Sequence, residues 1–236
     1  MKRLKEFGFI IGILLIVSFH IFLSLPVKTS PINPPPYSAP VQILDKNGEV
    51  IAFANAFLVD RELGLLITNE HVIASGMKWR VKFGGRSYLA KTQKEWINQN
   101  ADLAILRLIN YQSAELPSAT DLSGSAYVGL SVQARGYKYN GESYCAESVV
   151  LSLKEPWQHE DSQYNHGIKT GVGWRNYLTR NVVRSGCSGS AVLGRNGKVV
   201  AIVSGTLLLF GYSYLIPSWE IERLLKRVRS SLGAAL

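Results

Sequence analysis

Residues 184–192 read Arg184-Ser185-Gly186-Cys187-Ser188-Gly189-Ser190-Ala191-Val192, a glycine-flanked turn that enters an apolar strand. A serine hydroxyl is a poor nucleophile at neutral pH, so a reactive serine needs a base, a group that orients the base, and N–H donors for an oxyanion. Glycine lets the backbone present such donors, and we expect them to be the N–H groups of Gly186 and Ser188. Taken alone, this stretch is more typical of an ordinary turn before a strand.

A candidate base and a candidate carboxylate lie upstream of Ser188. His71 is predicted to close the strand that begins at Leu65, and Asp102 to open the strand that ends at Leu108. The chain order is therefore His, Asp, Ser, which excludes the α/β-hydrolase order and the subtilisin order. No histidine follows Ser188 in the sequence. The sequence thus predicts a triad of His71, Asp102 and Ser188, with no metal and no cofactor.

Four motifs in one order resemble the chymotrypsin/trypsin-like serine peptidases, and most closely their Deg-type (HtrA-like) branch. They are Leu66–Val72, Ala101–Leu106, Ser185–Ser190 and Ile216–Ser218, and together they span nearly all of the chain after residue 40. The resemblance implies an all-β fold of two antiparallel six-stranded β-barrels, with the triad in the cleft between them. It also implies a serine endopeptidase that acts on proteins or peptides through an acyl-enzyme.

The resemblance extends to details of the site. It implies that Val182 forms the base of the primary specificity pocket and that Ser204, Gly205 and Thr206 form a wall. None of these residues supplies a buried carboxylate for Lys or Arg, so we expect cleavage after apolar residues. Cys187 stands where the trypsin branch has an aspartate, so activation by a freed N-terminus is not expected. We also expect no PDZ module after the domain, although many Deg-type proteases carry one.

Turn signals indicate β structure from Val41 onward. Asn47-Gly48, Gly84-Gly85 and Asn196-Gly197 each join two short apolar runs, which predicts three antiparallel hairpins. A cluster of Ser, Pro, Thr, Asp and Gly at 113–125 divides the predicted peptidase domain, 41–236, into a first barrel at about 41–112 and a second part at about 126–232. This second part ends in a predicted helix that packs on the second barrel. The helix follows from apolar residues at helical spacing: Ile221, Leu224, Leu225, Val228 and Leu232.

The first 40 residues predict an anchor and a spacer. Three basic residues precede an apolar run at 7–25 that would be roughly 28 Å long as a helix, about the thickness of the bilayer core. This predicts a transmembrane signal anchor at 1–25, with the domain on the periplasmic or extracellular side. A cleaved signal peptide and a secreted protein are the alternative. The proline-rich stretch at 26–40 predicts an extended linker.

The remaining candidates have simpler interpretations. His159 and His166 match no zinc-site spacing. Cys145 and Cys187 could form a disulfide outside the cytoplasm, and the alternative that we favour is two buried thiols. The net charge of +9 comes without a nucleic-acid-binding motif, so it indicates only affinity for acidic surfaces.

Two further questions concern function. Other carboxylates could replace Asp102 as the orienting group, but none opens a strand in the same way: Glu95, Asp121 and Glu147. The alternative to an enzyme is a catalytically inactive protein of the same fold that binds peptides or acts as a scaffold in the cell envelope.

Overall fold

The computed structural model describes residues 33–74, 76–122, 126–138, 140–152, 177–180, 186–207 and 212–233. Within these ranges, no helix has the length and apolar character needed to cross a bilayer. The predicted anchor at 1–25 and the first part of the predicted linker lie outside the described residues.

The first barrel is built from strands that precede residue 110. Their bounds are β1 Ser38–Leu44, β2 Val50–Asp60, β3 Leu65–Thr68, β4 Lys78–Phe83, β5 Arg86–Lys91, β6 Ile97–Asn98 and β7 Leu103–Leu108. The sheet order is β3-β2-β1-β4-β5-β7-β6, and β3 also pairs with β7, so six strands close and β6 lies at the rim. The antiparallel pairs β1–β2 and β4–β5 confirm two of the predicted hairpins.

The second barrel contains the strands that follow residue 130. Their bounds are β8 Ser131–Tyr137, β9 Ser143–Ser152, β10 Tyr177–Arg180, β11 Ala191–Leu193, β12 Val199–Leu207 and β13 Tyr212–Pro217. They close in the order β10-β13-β12-β11-β8-β9. The pair β11–β12 confirms the third predicted hairpin. The chain therefore has two antiparallel barrel-like sheets, as predicted.

The three largest apolar clusters among the described residues hold these sheets together. One fills the first barrel around Leu58, Leu66 and Leu106, and a second fills the other barrel around Val192 and Leu215. A third cluster lies between the barrels and contains Phe57, Ile67, Ile105, Ile202 and Ile216. Strands β3 and β7 alternate between a barrel interior and this interface, so both of their faces are buried. This explains why both read as continuous apolar runs in the sequence.

Two helices complete the described structure: α1 Glu70–Ala74 and α2 Ser218–Gly233. Helix α2 confirms the predicted C-terminal helix, and its buried apolar residues join the cluster between the barrels. It was predicted to pack on the second barrel, where it contacts β12 and β13. The structure adds contacts with β7 and with the 3₁₀ turn at Lys94–Trp96, so α2 packs on both barrels.

Candidate active site

His71 and Asp102 face each other at adjacent ends of β3 and β7. The Nδ1 atom of His71 lies 2.8 Å from Oδ1 and 3.0 Å from Oδ2 of Asp102, and the backbone N–H of His71 donates to Oδ1 at 3.0 Å. An ionised carboxylate only accepts hydrogen bonds, so Nδ1 carries the proton in this pair. The neutral ring then has its basic lone pair on Nε2, the atom that a general base needs.

His71 was predicted to close strand β3, and this prediction is wrong. The ladder between β3 and β7 stops at the pair Thr68–Ala104, and His71 lies in helix α1. Beyond Thr68, polar contacts to Asp102 replace the ladder. The side-chain amide of Asn69 donates to the carbonyl oxygen of Asp102 at 3.1 Å, and the N–H of His71 donates to its carboxylate. These contacts turn the chain toward Asp102 instead of continuing the strand.

Asp102 has an uncommon backbone conformation for a residue other than glycine. Its φ of 49° lies in the left-handed region, and it ends the 3₁₀ turn at Gln99–Ala101 just before β7. Such a conformation costs about 1–2 kcal/mol, although aspartate tolerates it better than most residues. Asp102 is almost fully buried, at 3% exposure. Local strain of this kind is concentrated at functional sites, which supports a specific role for this carboxylate.

Ser188 reaches Asp102 through Ser204, a residue of β12. The Ser188 hydroxyl donates to the carbonyl oxygen of Ser204 at 3.3 Å, and the Ser204 hydroxyl donates to Oδ2 of Asp102 at 2.6 Å. The β12–β13 register shifts between Val203 and Gly205, so Ser204 is the residue at an irregularity of the ladder. Such bulges commonly re-aim one side chain. The structure therefore brings His71, Asp102, Ser188 and Ser204 into one hydrogen-bonded set.

The turn that carries Ser188 depends on its two glycines. Gly186 and Gly189 have φ values of 89° and 82°. A Cβ atom on Gly189 would lie 1.8 Å from the carbonyl oxygen of Asn55, so no side chain fits there. The turn is also held from both sides, because the N–H of Asn55 donates to Ser188 O at 2.8 Å and the N–H of Gly189 donates to Val203 O at 3.0 Å.

The predicted specificity residues are only partly described. Val182 lies outside the described residues. Gly205 and Thr206 lie on β12, paired with Tyr214 and Ser213 of β13. Ser204, predicted as part of the pocket wall, donates a hydrogen bond to Asp102. Nothing in the local sequence indicated this contact, because the two residues are far apart in the chain.

The alternative orienting carboxylates make other contacts. Asp121 lies 2.8 Å from the amine of Lys198, and Glu147 accepts a hydrogen bond from Gln133 at 2.8 Å. Glu95 is exposed. The contact with the His71 ring comes from Asp102, which was the predicted residue.

The site also shifts the pKa of two neighbouring groups. Burial lowers the pKa of His71, but the hydrogen bond and the charge of Asp102, with the charge of Glu70, outweigh it and leave that pKa raised. Burial raises the pKa of Glu70, and the charge of Asp102 adds to this effect. His71 therefore binds its proton more tightly than a free imidazole.

Cys145 and Cys187 are both buried and do not form a disulfide, in agreement with the expectation. Across the described parts of the chain, no cluster of three or more His, Cys, Asp or Glu residues could hold a metal ion. His159 and His166 lie outside the described residues.

The chain is similar to known proteins in sequence and in structure. The family model for the trypsin-like peptidase domain matches residues 54–202. The putative protease Do-like 6, chloroplastic, of Arabidopsis thaliana is 24% identical over 111 residues, which are 47% of this chain and 51% of that protein. The serine endoprotease from Yersinia pestis is similar in structure with a TM-score of 0.65 and 18% identity, over 84% of this chain and 65% of that one. An HtrA-type protease with a tripeptide gives a TM-score of 0.66 and 19% identity, over 83% and 61% of the two chains.

These matches agree with the resemblance drawn from the sequence motifs. The chain spans about half the length of the Arabidopsis relative and about two thirds of the Yersinia chain. The solved structures share its two-barrel, chymotrypsin-like architecture, including structures of the Deg-type branch. The family model covers well over half of the sequence and includes His71, Asp102 and Ser188. This chain belongs to the trypsin-like peptidase domain family.

Proposed function

We propose that this chain is a serine endopeptidase that cleaves peptide bonds with Ser188, His71 and Asp102. The observation that carries the proposal is the contact between Asp102 and both the ring and the backbone N–H of His71, at 2.8 and 3.0 Å. Ser204 extends the same hydrogen-bonded set to Ser188. A histidine oriented in this way is the base that a serine nucleophile needs.

In the proposed reaction, Oγ of Ser188 attacks the carbonyl carbon of the peptide bond while Nε2 of His71 takes the hydroxyl proton. The tetrahedral intermediate collapses when His71 gives this proton to the leaving amine, which breaks the C–N bond and leaves an acyl-serine. Water, deprotonated by His71, then attacks the ester and releases the acid and Ser188. Asp102 keeps the ring in place and stabilises its charged form.

The oxyanion of each tetrahedral intermediate would be stabilised by the N–H groups of Gly186 and Ser188. Each such donor contributes about 3 kcal/mol in comparable enzymes. The positive φ of Gly186 and the close approach of Gly189 to Asn55 make this turn tight, which suits a preorganised donor pair.

For substrate choice, we propose cleavage after apolar residues. The support is the sequence itself, because Val182, Ser204, Gly205 and Thr206 supply no charged side chain at the positions that resemble a primary pocket. An unpaired Lys or Arg side chain would lose hydration there without compensation. A peptide-library profile is expected to show apolar residues at the cleaved position, and a profile dominated by Lys and Arg would contradict this.

For localisation, we propose a single-pass protein held at the membrane by residues 7–25, with its domain on the non-cytoplasmic side. The support is the basic start of the chain and the length of the apolar run. Fractionation of cells should find the full-length chain with the membranes, and protease added to intact cells or spheroplasts should digest the domain. A soluble mature form that begins near Val27 would instead show a cleaved signal peptide.

The central test is labelling of the detergent-solubilised full chain with a fluorophosphonate, which reacts with an activated serine. The wild type should be labelled, and Ser188→Ala should lose both labelling and peptide cleavage, by about 10⁶-fold in turnover. Ser190→Ala is the matched control, because it removes a second hydroxyl of the same turn and should leave labelling in place. A folded wild type that neither labels nor cleaves peptides would favour the peptide-binding scaffold.

A further inference from the structure

Asn55 is a polar residue in the middle of the otherwise apolar buried part of β2. Its side chain is 1% exposed. A buried amide without partners is strongly unfavourable, and here both ends of the amide have partners. Nδ2 donates to the carbonyl oxygens of Tyr137, at 2.9 Å, and of Gly186, at 2.8 Å, while Oδ1 accepts from the N–H of Tyr137 at 2.7 Å.

The backbone of Asn55 makes two more contacts of the same kind. Its N–H donates to the carbonyl oxygen of Ser188 at 2.8 Å, and its own carbonyl oxygen accepts from the hydroxyl of Thr68 at 2.7 Å. This one residue of the first barrel therefore holds the carbonyl groups of both Gly186 and Ser188. These are the two residues whose N–H groups are the proposed oxyanion donors.

We propose that Asn55 is a positioning residue for the oxyanion donors, because it holds the Gly186 carbonyl through its side chain and the Ser188 carbonyl through its backbone. The inference rests on the proposed peptidase function. A glycine at positive φ has wide rotational freedom, so nothing in Gly186 itself fixes its carbonyl direction. With that carbonyl tied to Asn55, the turn has one arrangement before substrate arrives.

A purely structural role is the competing explanation, since the pair of bonds between Asn55 and Tyr137 also ties the two barrels together. Asn55→Asp weighs the two roles against each other. Its carboxylate keeps the acceptor for the N–H of Tyr137 at nearly unchanged volume, but it replaces the donor to the carbonyl oxygens of both Gly186 and Tyr137 with a second acceptor. Asn55→Ala removes both contacts. Thr68→Val is the matched control, because it removes a buried hydrogen bond to the Asn55 backbone and leaves the amide side chain intact.

The experiment measures kcat and KM for a peptide substrate and Ki for a peptidyl boronic acid, which mimics the tetrahedral intermediate, in the full-length chain. For both Asn55 variants we expect kcat to fall about 10- to 100-fold with KM within about 3-fold, because misplaced groups chiefly weaken transition-state binding. Ki for the boronic acid should rise in parallel. Thr68→Val should lose thermal stability and keep its kcat.

Three results would overturn the inference. Folded Asn55 variants with the wild-type kcat would do so, as would a loss of kcat in Thr68→Val as large as that in Asn55→Asp. If neither Asn55 variant folds, the role of Asn55 is only to hold the two barrels together. An inactive wild type is a separate result, because it is seen before any variant is made and rejects the peptidase function together with this inference.

Discussion

The two barrels contribute unequal parts to the site. The first barrel holds His71 and Asp102 beside each other, where the paired strands β3 and β7 end. The second barrel supplies Ser188 on a turn, and its Ser204 donates a hydrogen bond to Asp102 of the first barrel. Each barrel fills its own interior with apolar side chains, so the interiors do not depend on the triad. The site, in contrast, is complete only when the barrels meet.

This contrast separates two kinds of interaction. Apolar burial between the barrels is large but non-directional, so it would tolerate small sliding movements of one barrel on the other. Hydrogen bonds weaken steeply when their distance or angle changes. Directed hydrogen bonds cross the junction at the site, among them those of Asn55 with Gly186, Ser188 and Tyr137 and that of Ser204 with Asp102. Apolar burial therefore stabilises the barrels, and these hydrogen bonds fix the position of one barrel on the other.

Among the tests of this contrast, the largest expected effect concerns the pair of His71 and Asp102 in the first barrel. Asp102→Asn keeps the shape of the pair, but the new amide can donate to Nδ1 and so stabilise the wrong tautomer of His71. If the proposed mechanism holds, kcat should fall by about 10⁴-fold. Asp121→Asn is the control. The Asp121 carboxylate pairs with Lys198, so this variant should keep the wild-type kcat. Equal losses in the two variants, measured on folded protein, would contradict the role of Asp102.

The second effect concerns the junction. Gly189→Ala would place a Cβ atom 1.8 Å from the Asn55 carbonyl at a φ of +82°, whereas Gly197→Ala has a similar φ of +74° and nothing within 4 Å. Both variants should lose about 1–2 kcal/mol from backbone strain. Gly189→Ala should lose about 2 kcal/mol more, because two backbones must move apart. Urea denaturation measures this difference, and equal unfolding free energies would show that the close approach is not needed.

Much of the architecture could be predicted from the sequence, because its signals are local. Two-residue turns such as Asn47-Gly48 identify hairpins, and the helical spacing after Pro217 identifies α2. The pairing of His71 with Asp102 followed from motif order. The end of β3 was mispredicted, because the contact that turns the chain after Thr68 comes from Asp102, on a different strand.

The contacts that join the barrels were not predicted for the same reason. Ser204 lies 102 positions from Asp102, and Asn55 lies 131 positions from Gly186. A single polar residue in an apolar strand, such as Asn55, indicates a buried hydrogen-bonding partner. It does not indicate which partner, because the pairing depends on how two separately closed barrels dock.

A smaller effect is expected for the contact that Ser204 makes across the junction. Ser204→Ala removes one donor from Oδ2 of Asp102, while the two donors of His71 remain. A hydrogen bond to a charged group contributes about 1.5–3 kcal/mol, and a loss at the lower end of this range would make kcat/KM fall by about 10-fold. Ser213→Ala, at another buried serine on the neighbouring strand, is the control. An unchanged kcat/KM in Ser204→Ala would show that the first barrel orients Asp102 without help from the second.

The smallest expected effect tests whether the charge of Glu70, in the first barrel, raises the pKa of His71. In the proposed mechanism the base is neutral His71, so kcat/KM should fall as the pH drops through the pKa of His71, which is raised above its ordinary value of 6.5. The negative charge of Glu70 contributes to this increase, so Glu70→Gln should move the acid limb toward lower pH. Because Glu70 is only partly buried, added salt should shrink the difference from the wild type. Glu95→Gln, at an exposed carboxylate, is the matched control. If the pH profile of Glu70→Gln coincides with that of the wild type at low salt, Asp102 and not Glu70 is the group that raises the pKa of His71.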